Sequence, residues 1–203
     1  MSRGGPALSQ PRRQLLERYL ELLYAENQRL NLTRIDRAEA WRRHIEESLD
    51  LVGARRWQAG ERVLDLGSGG GVPGIPLAVA LPGIRLGLIE RDLAKAAYLG
   101  RCLDQLGLAE VWVVPQDARE LARRPDFEPA QVLVSRAALS PGALLRVAAP
   151  LLGPGGEGLV HVGASAALDA RLAARAQRSG LTGLRLVQAG GSRLLRFSRF
   201  APG

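Results

Sequence analysis

Cysteine and histidine are scarce in this chain of 203 residues: there is one cysteine, Cys102, and there are two histidines, His44 and His161. A single cysteine excludes an intrachain disulfide and suits a reducing cytoplasm. So few thiols and imidazoles leave little material for a catalytic triad or a metal cluster, and no metal is expected. No apolar run approaches the length of a membrane span. The opening "MSRGGPALSQPRR" has no apolar stretch of the secretory kind. Internal repeats and low-complexity segments are missing too.

Acidic charge is the other shortage. The 28 Lys and Arg against 20 Asp and Glu leave a net charge of +8, and nearly all the basic residues are arginine. Such a balance points to an anionic partner, of which nucleic acid is the commonest. Apolar content of 46% and charged content of 24% are ordinary for a folded soluble domain. The length suits one domain with a small appendage.

Apolar residues recur at helical spacing through "RRQLLERYLELLYAENQRL". The stretch "DRAEAWRRHIEESLDLVGA" reads as a second helix, with Asp36 as N-cap and Glu39 completing a capping box. Residues 1–59 therefore form an arm and a helical cap, and 60–203 the main domain. In that domain strands and helices alternate from "RVLDLG" to "ALDARLAARAQRSG", which predicts a mostly parallel twisted sheet with helices on both faces. "LRLVQAG" and "RLLRFSRF" have no helix between them and predict an antiparallel edge hairpin. "LLGPGGEG" reads as a turn.

The most informative stretch is "VLDLGSGGGVPGIPLAV", a strand entering a glycine turn and then a helix. In a doubly wound sheet the ligand sits at the carboxyl ends of the strands. Gly67, Gly69 and Gly71 have GxGxG spacing, and Val72 occupies the place of a dinucleotide fingerprint's third glycine. Asp65 before the turn would repel a pyrophosphate and attract an ammonium. Glu90 ends the second strand, placed for two ribose hydroxyls, and Asp117 ends the third, placed for an adenine amino group. A nucleoside with a cationic amino-acid tail and no phosphate satisfies all of these, which is S-adenosylmethionine. The turn, including Ser68, is then the cofactor loop of a Rossmann-like class I methyltransferase.

Four segments resemble the bacterial small-subunit ribosomal RNA guanine-N7 methyltransferases, the glucose-inhibited division protein B family. They are "GVPGIPLAV"; "NQRLNLTRI", with Asn27, Asn31, Leu32 and Thr33; "RHIEESLDL", with His44, Ser48 and Leu49 matching and Glu47 in place of Asp; and "VLVSRA", with Ser135, Arg136 and Ala137. The resemblance implies S-adenosylmethionine contacts from Gly67, Val72, the backbone at Ala118 and Arg119, and Arg136. It also implies a guanine in ribosomal RNA, or in an assembling small subunit, as acceptor. Asp117 stands where the family usually has Arg, and Val162 where it usually has Lys.

Guanine N7 carries a lone pair and no proton, so methyl transfer needs positioning and no general base. Arg136, at the end of the fourth strand, is the residue expected to carry catalysis, since an arginine there is costly to bury without an anion. Candidate RNA contacts are Asn31, Arg43, His44, Ser48 and Arg193. A locally packed His44 is an equal alternative; His161 and Cys102 are expected in the core. The protein is expected to act as a monomer away from membranes. A small-molecule methyltransferase and a non-catalytic RNA-binding paralogue remain open on the residues alone.

Overall fold

The computed structural model describes residues 8–136 and 139–202. Residues 1–7 of the expected N-terminal arm and Ala137 of the Ser-Arg-Ala segment lie outside them. Among the described residues seven strands form one sheet: β1 (Arg62–Leu66), β2 (Arg85–Ile89), β3 (Val111–Val114), β4 (Ala130–Arg136), β5 (Leu152–Val162), β6 (Leu181–Ala189) and β7 (Ser192–Arg199). Their order is β3-β2-β1-β4-β5-β7-β6. The first five run parallel, and β7 is antiparallel to β5 and β6 on either side, so the expected hairpin forms one edge.

Strand parity sends alternate side chains to two separate cores. Val63, Leu88, Val134 and Leu159 pack under α1 (Gln10–Leu30), α2 (Glu47–Gly53), α3 (Gly74–Ala80) and α4 (Leu93–Leu106). Leu64, Leu66, Leu133 and Val160 pack under α5 (Ala118–Leu121), α6 (Pro141–Ala148) and α7 (Ala170–Arg178). Cys102 is buried in α4, in the first of these cores. Among the described residues no helix is long and apolar enough to cross a membrane.

Two local expectations need correction. The second cap helix is broken into a 3-10 turn (Arg37–Glu39), a π-helical stretch (Trp41–Glu46) and α2. Asp36 does accept from the Ala38 N–H at 2.9 Å, but Glu39 pairs with Arg42 at 2.6 Å rather than closing a capping box. In the π register the Glu47 N–H reaches the Arg42 carbonyl, one residue beyond its α-helical acceptor. The passed-over Arg43 carbonyl accepts from Arg136 instead. The predicted turn at "LLGPGGEG" lies within β5. There the register against β4 slips between Ala130 and Val132, and the surplus glycine-rich residues are absorbed as a bulge.

α1 ends where Asn31 takes a left-handed conformation, φ 49°. Asn27, one turn earlier, grips the chain that follows: its Nδ2 donates to the Thr33 carbonyl (3.0 Å) and its Oδ1 accepts from the Thr33 N–H (2.8 Å). This clasp fixes the Thr33 backbone just beyond the end of α1.

Candidate functional site

After β1 the chain turns through the seven residues 67–73 before α3, and Gly67, Gly69 and Gly71 all take positive φ (73°, 54° and 99°), which side chains resist. The Gly67 and Ser68 N–H groups both donate to the Ile89 carbonyl at 3.0 Å, tying the turn to the end of β2. A Cβ at Gly69 would meet nothing nearer than the Gly67 carbonyl at 4.0 Å, so it would project into the cleft. One at Gly71 would lie 2.6 Å from Ile75 Cδ1. The same spacing thus has two causes: Gly69 keeps a ligand space open, and Gly71 lets α3 pack. Beneath the turn, fully buried Tyr19 of α1 donates to the Gly70 carbonyl at 2.8 Å.

A first cavity of about 300 Å³ opens at the carboxyl ends of β1, β2 and β3, and Gly67, Gly69, Glu90, Asp117, Ala118 and Arg119 line it together. Glu90 accepts from the Gly69 N–H at 2.9 Å and from the Asp92 N–H at 2.8 Å. These bonds fix the carboxylate and leave each oxygen with accepting capacity. Asp117 caps α5, accepting from the Arg119 N–H at 2.8 Å. Arg91 and Lys95 also line it. They follow Glu90 at the start of α4, but glycine spacing and strand ends carry no signal for them.

A second cavity, of about 110 Å³, shares Gly67 and Gly69 with the first. Ser68, Gly70 and Val72 continue its floor, and the cap supplies Thr33 and His44 as its wall. Arg136 also lines it; the parity of β4 that sends Val132 and Val134 to the cap side sends Arg136 there too. Arg136 donates to the Arg43 carbonyl and to His44 Nδ1, the latter at 2.8 Å. His44 Nε2 meets Thr33 Oγ1 at 3.1 Å. Burial, then the charges of Arg136 and Arg43, lower the His44 pKa from 6.5 to about 4, so the ring is neutral.

Several expected contacts lie elsewhere. Asp65 shares the parity of Val63, so its carboxylate is fully buried beneath α3 and lines neither cavity. Its Oδ2 accepts from the Gly74 N–H at 3.1 Å, and its Oδ1 has no partner among the described residues. Burial lifts its pKa from 3.8 to about 7. It braces the turn from below instead of facing a ligand. Ser48 is also fully buried, its hydroxyl donating to the His44 carbonyl at 2.6 Å within the helix. Asn31 is exposed outside both cavities and acts as the cap of α1. The Arg43 side chain pairs with Glu47 at 3.2 Å; Arg43 lines neither cavity, and its carbonyl serves only to hold Arg136. Arg193 donates to the Ala164 carbonyl at 2.6 Å, also outside both cavities. Gly71 lines neither. His161 is held by the Glu47 carbonyl at 2.8 Å on the cap side. Val162, one residue on, packs into the opposite core.

A family model described as rRNA small subunit methyltransferase G, GidB, matches residues 12–190. A "Ribosomal RNA small subunit methyltransferase G" from Acidiphilium cryptum is 41% identical over 165 residues, covering 80% of this chain and 72% of that protein. The protein of the same name from Mycolicibacterium gilvum is 39% identical over 166 residues, 80% and 69% of the two chains. Among solved structures, MtNAS in complex with MTA and tNA superposes with a TM-score of 0.64 at 15% identity, over 95% of this chain and 75% of that one. TrmN from Thermus thermophilus gives 0.52 at 24% identity, over 77% and 48%. At such identities these two show the shared fold.

Proposed function

This chain belongs to the GidB family, rRNA small subunit methyltransferase G, and from that premise we propose that it methylates N7 of a guanine in small-subunit ribosomal RNA with S-adenosylmethionine. One observation carries the reading: two cavities of different chemistry meet over Gly67 and Gly69. The first suits a nucleoside, with the carboxylates of Glu90 and Asp117 lining it as acceptors. The second holds a partly buried guanidinium beside a neutral imidazole.

The cofactor supplies an electrophilic methyl group on a sulfonium. Glu90, already fixed by two N–H groups, accepts from the ribose hydroxyls. Asp117 accepts from the adenine amino group, with Ala118 and Arg119 beside it at the start of α5. The open face of Gly69 admits the chain of the amino acid. Arg136 keeps N–H groups beyond those given to Arg43 and His44, and these meet the anionic end of that chain. Val72 closes the far side of the second cavity.

Attack by guanine N7 releases no proton at the attacking atom, so the neutral state of His44 costs the reaction nothing. Catalysis rests on holding N7 in line with the transferred methyl group. Residues 1–59 serve as the cap over the acceptor and 60–203 as the cofactor domain, acting as a monomer in the cytoplasm. The test is calorimetry with S-adenosylmethionine, followed by mass spectrometry of nucleosides from unmethylated small-subunit RNA incubated with protein and cofactor. 7-Methylguanosine is the expected product. Cofactor binding without any methylated nucleoside would overturn the reading.

A further inference from the structure

We infer that the Thr33 hydroxyl is an obligatory hydrogen-bond donor that reads O6 of the acceptor guanine. The inference rests on the guanine-N7 reading above and names the residue that selects the base.

The donor role follows from a chain of forced choices. A guanidinium can only donate, so His44 Nδ1, 2.8 Å from Arg136 Nη2, must accept. A neutral imidazole that accepts at Nδ1 carries its proton on Nε2. That proton therefore goes to Thr33 Oγ1, 3.1 Å away. Thr33 Oγ1 also accepts from the Ile35 N–H at 3.0 Å. With both lone pairs engaged, the hydroxyl has one capacity left, its own proton. Thr33 lines the second cavity, and among the described residues no acceptor for that proton is found.

Place decides what it donates to. The glycine turn is the floor on which the cofactor rests, and Arg136 is the one cationic side chain lining the second cavity among the described residues. Thr33 stands on the cap wall above that floor, where the methyl acceptor must lie. The edge of guanine that carries N7 carries one neighbour, the O6 acceptor; adenine places an amino donor there. A fixed donor at Thr33 accepts the first and rejects the second. The Asn27 clasp on the Thr33 backbone keeps the donor in place.

The experiment compares Thr33→Val, which keeps the shape but loses the hydroxyl both as donor and as acceptor from His44 and Ile35, and Thr33→Ser, which keeps all three bonds, with the unaltered protein. It measures kcat and KM for unmethylated small-subunit RNA, the Kd of S-adenosylmethionine and the melting temperature. Thr33→Val should lower kcat/KM by about 10- to 100-fold, as expected for one unpaired polar group in a closed site. Its cofactor Kd should stay within about twofold, and Thr33→Ser should restore most of the rate, by the same logic of one hydrogen bond. Near-normal activity of Thr33→Val, an equal loss in Thr33→Ser, or a weakened cofactor Kd would each overturn the inference. Absence of 7-methylguanosine with the unaltered protein would instead strike the function reading itself.

Discussion

The two cavities share a glycine floor and differ in how their walls are held. In the first, the contacts join a strand end to its own turn or to the neighbouring one: Glu90 to Asp92 and to Gly69 of the turn after β1, Asp117 to Arg119. In the second, the wall is assembled from residues distant in the chain, with Thr33 meeting His44 and His44 meeting Arg136 of β4. A wall made of local turns survives the loss of a neighbour. One made of a relay fails as a unit. Damage to the second cavity should therefore fall on catalysis, and at Arg136 on cofactor affinity as well, whereas damage to the first should fall on cofactor affinity alone.

Arg136→Ala is the severest break of that contrast. It removes a charged group from the second cavity and strands two buried acceptors, the Arg43 carbonyl and His44 Nδ1. kcat/KM should fall by about 100-fold or more, the order seen when one preorganised donor is deleted. Arg136→Lys should recover little, because an ammonium does not reproduce a fork that spans two acceptors. Steady-state methylation of small-subunit RNA reads this directly. Retention of most of the activity would remove the second cavity from the reaction.

Glu90→Ala breaks the other side. The carboxylate proposed to accept from the ribose disappears, and the Gly69 N–H loses its partner. The Kd of S-adenosylmethionine should rise by about 10- to 100-fold, the worth of one charge-assisted hydrogen bond. RNA affinity measured without cofactor should stay unchanged. Equal loss of RNA affinity would mean that the two cavities are not separable.

Acidification tests the shared floor. Unfolding frees His44 to bind a proton near its ordinary 6.5, whereas in the fold it binds one only near about 4. Stability from His44 is therefore present above 6.5 and lost as pH falls toward 4. His161, lowered mainly by burial, adds to the same slope. Asp65 works against them. Its pKa is raised from 3.8 to about 7, so its folded state holds a proton that the unfolded chain has released, and stability declines as pH rises through that window. Asp65 should therefore blunt the rise in stability that the two histidines give the wild type between those limits. Asp65→Asn removes one arm. Its stability should then gain about 2 kcal/mol more than the wild type between pH 4.5 and 6.5, from roughly 1.4 kcal/mol per proton and pH unit. Parallel melting curves for the two proteins would show the opposition to be illusory.

The same division explains what the sequence disclosed. The sheet, its edge hairpin and the first cavity were legible because they depend on periodicity, turn chemistry and strand ends, all local. Glu90, Asp117, Gly67 and Gly69 were read that way, and they line that cavity together. Asp65 was misplaced because its neighbourhood in sequence is the turn, while strand parity carries its side chain under α3. Ser48 was misplaced because a helix position shows nothing about which face is buried until the π-helical stretch has rotated it. Thr33 came into view as part of a resembling segment. Its chemistry depends on His44 and Arg136, which no local pattern connects to it.

The smallest effect is expected on the far face. Val162 stands where the family usually has a lysine, yet its parity is that of Val160, and it packs against the core beneath α5, α6 and α7. His161, its neighbour, takes the cap side. A lysine at 162 would thus leave the cap and both cavities untouched, its partly buried stem running along apolar surface while the ammonium reaches water. Val162→Lys should cost about 1 kcal/mol in stability, the ordinary price of such a change. The dependence of RNA affinity on salt should be unaltered, because an added phosphate contact would steepen the slope by about one unit. A titration at two salt concentrations distinguishes these. A steeper slope would place the RNA backbone across the end of β5, and the acceptor strand would then contact both faces of the sheet.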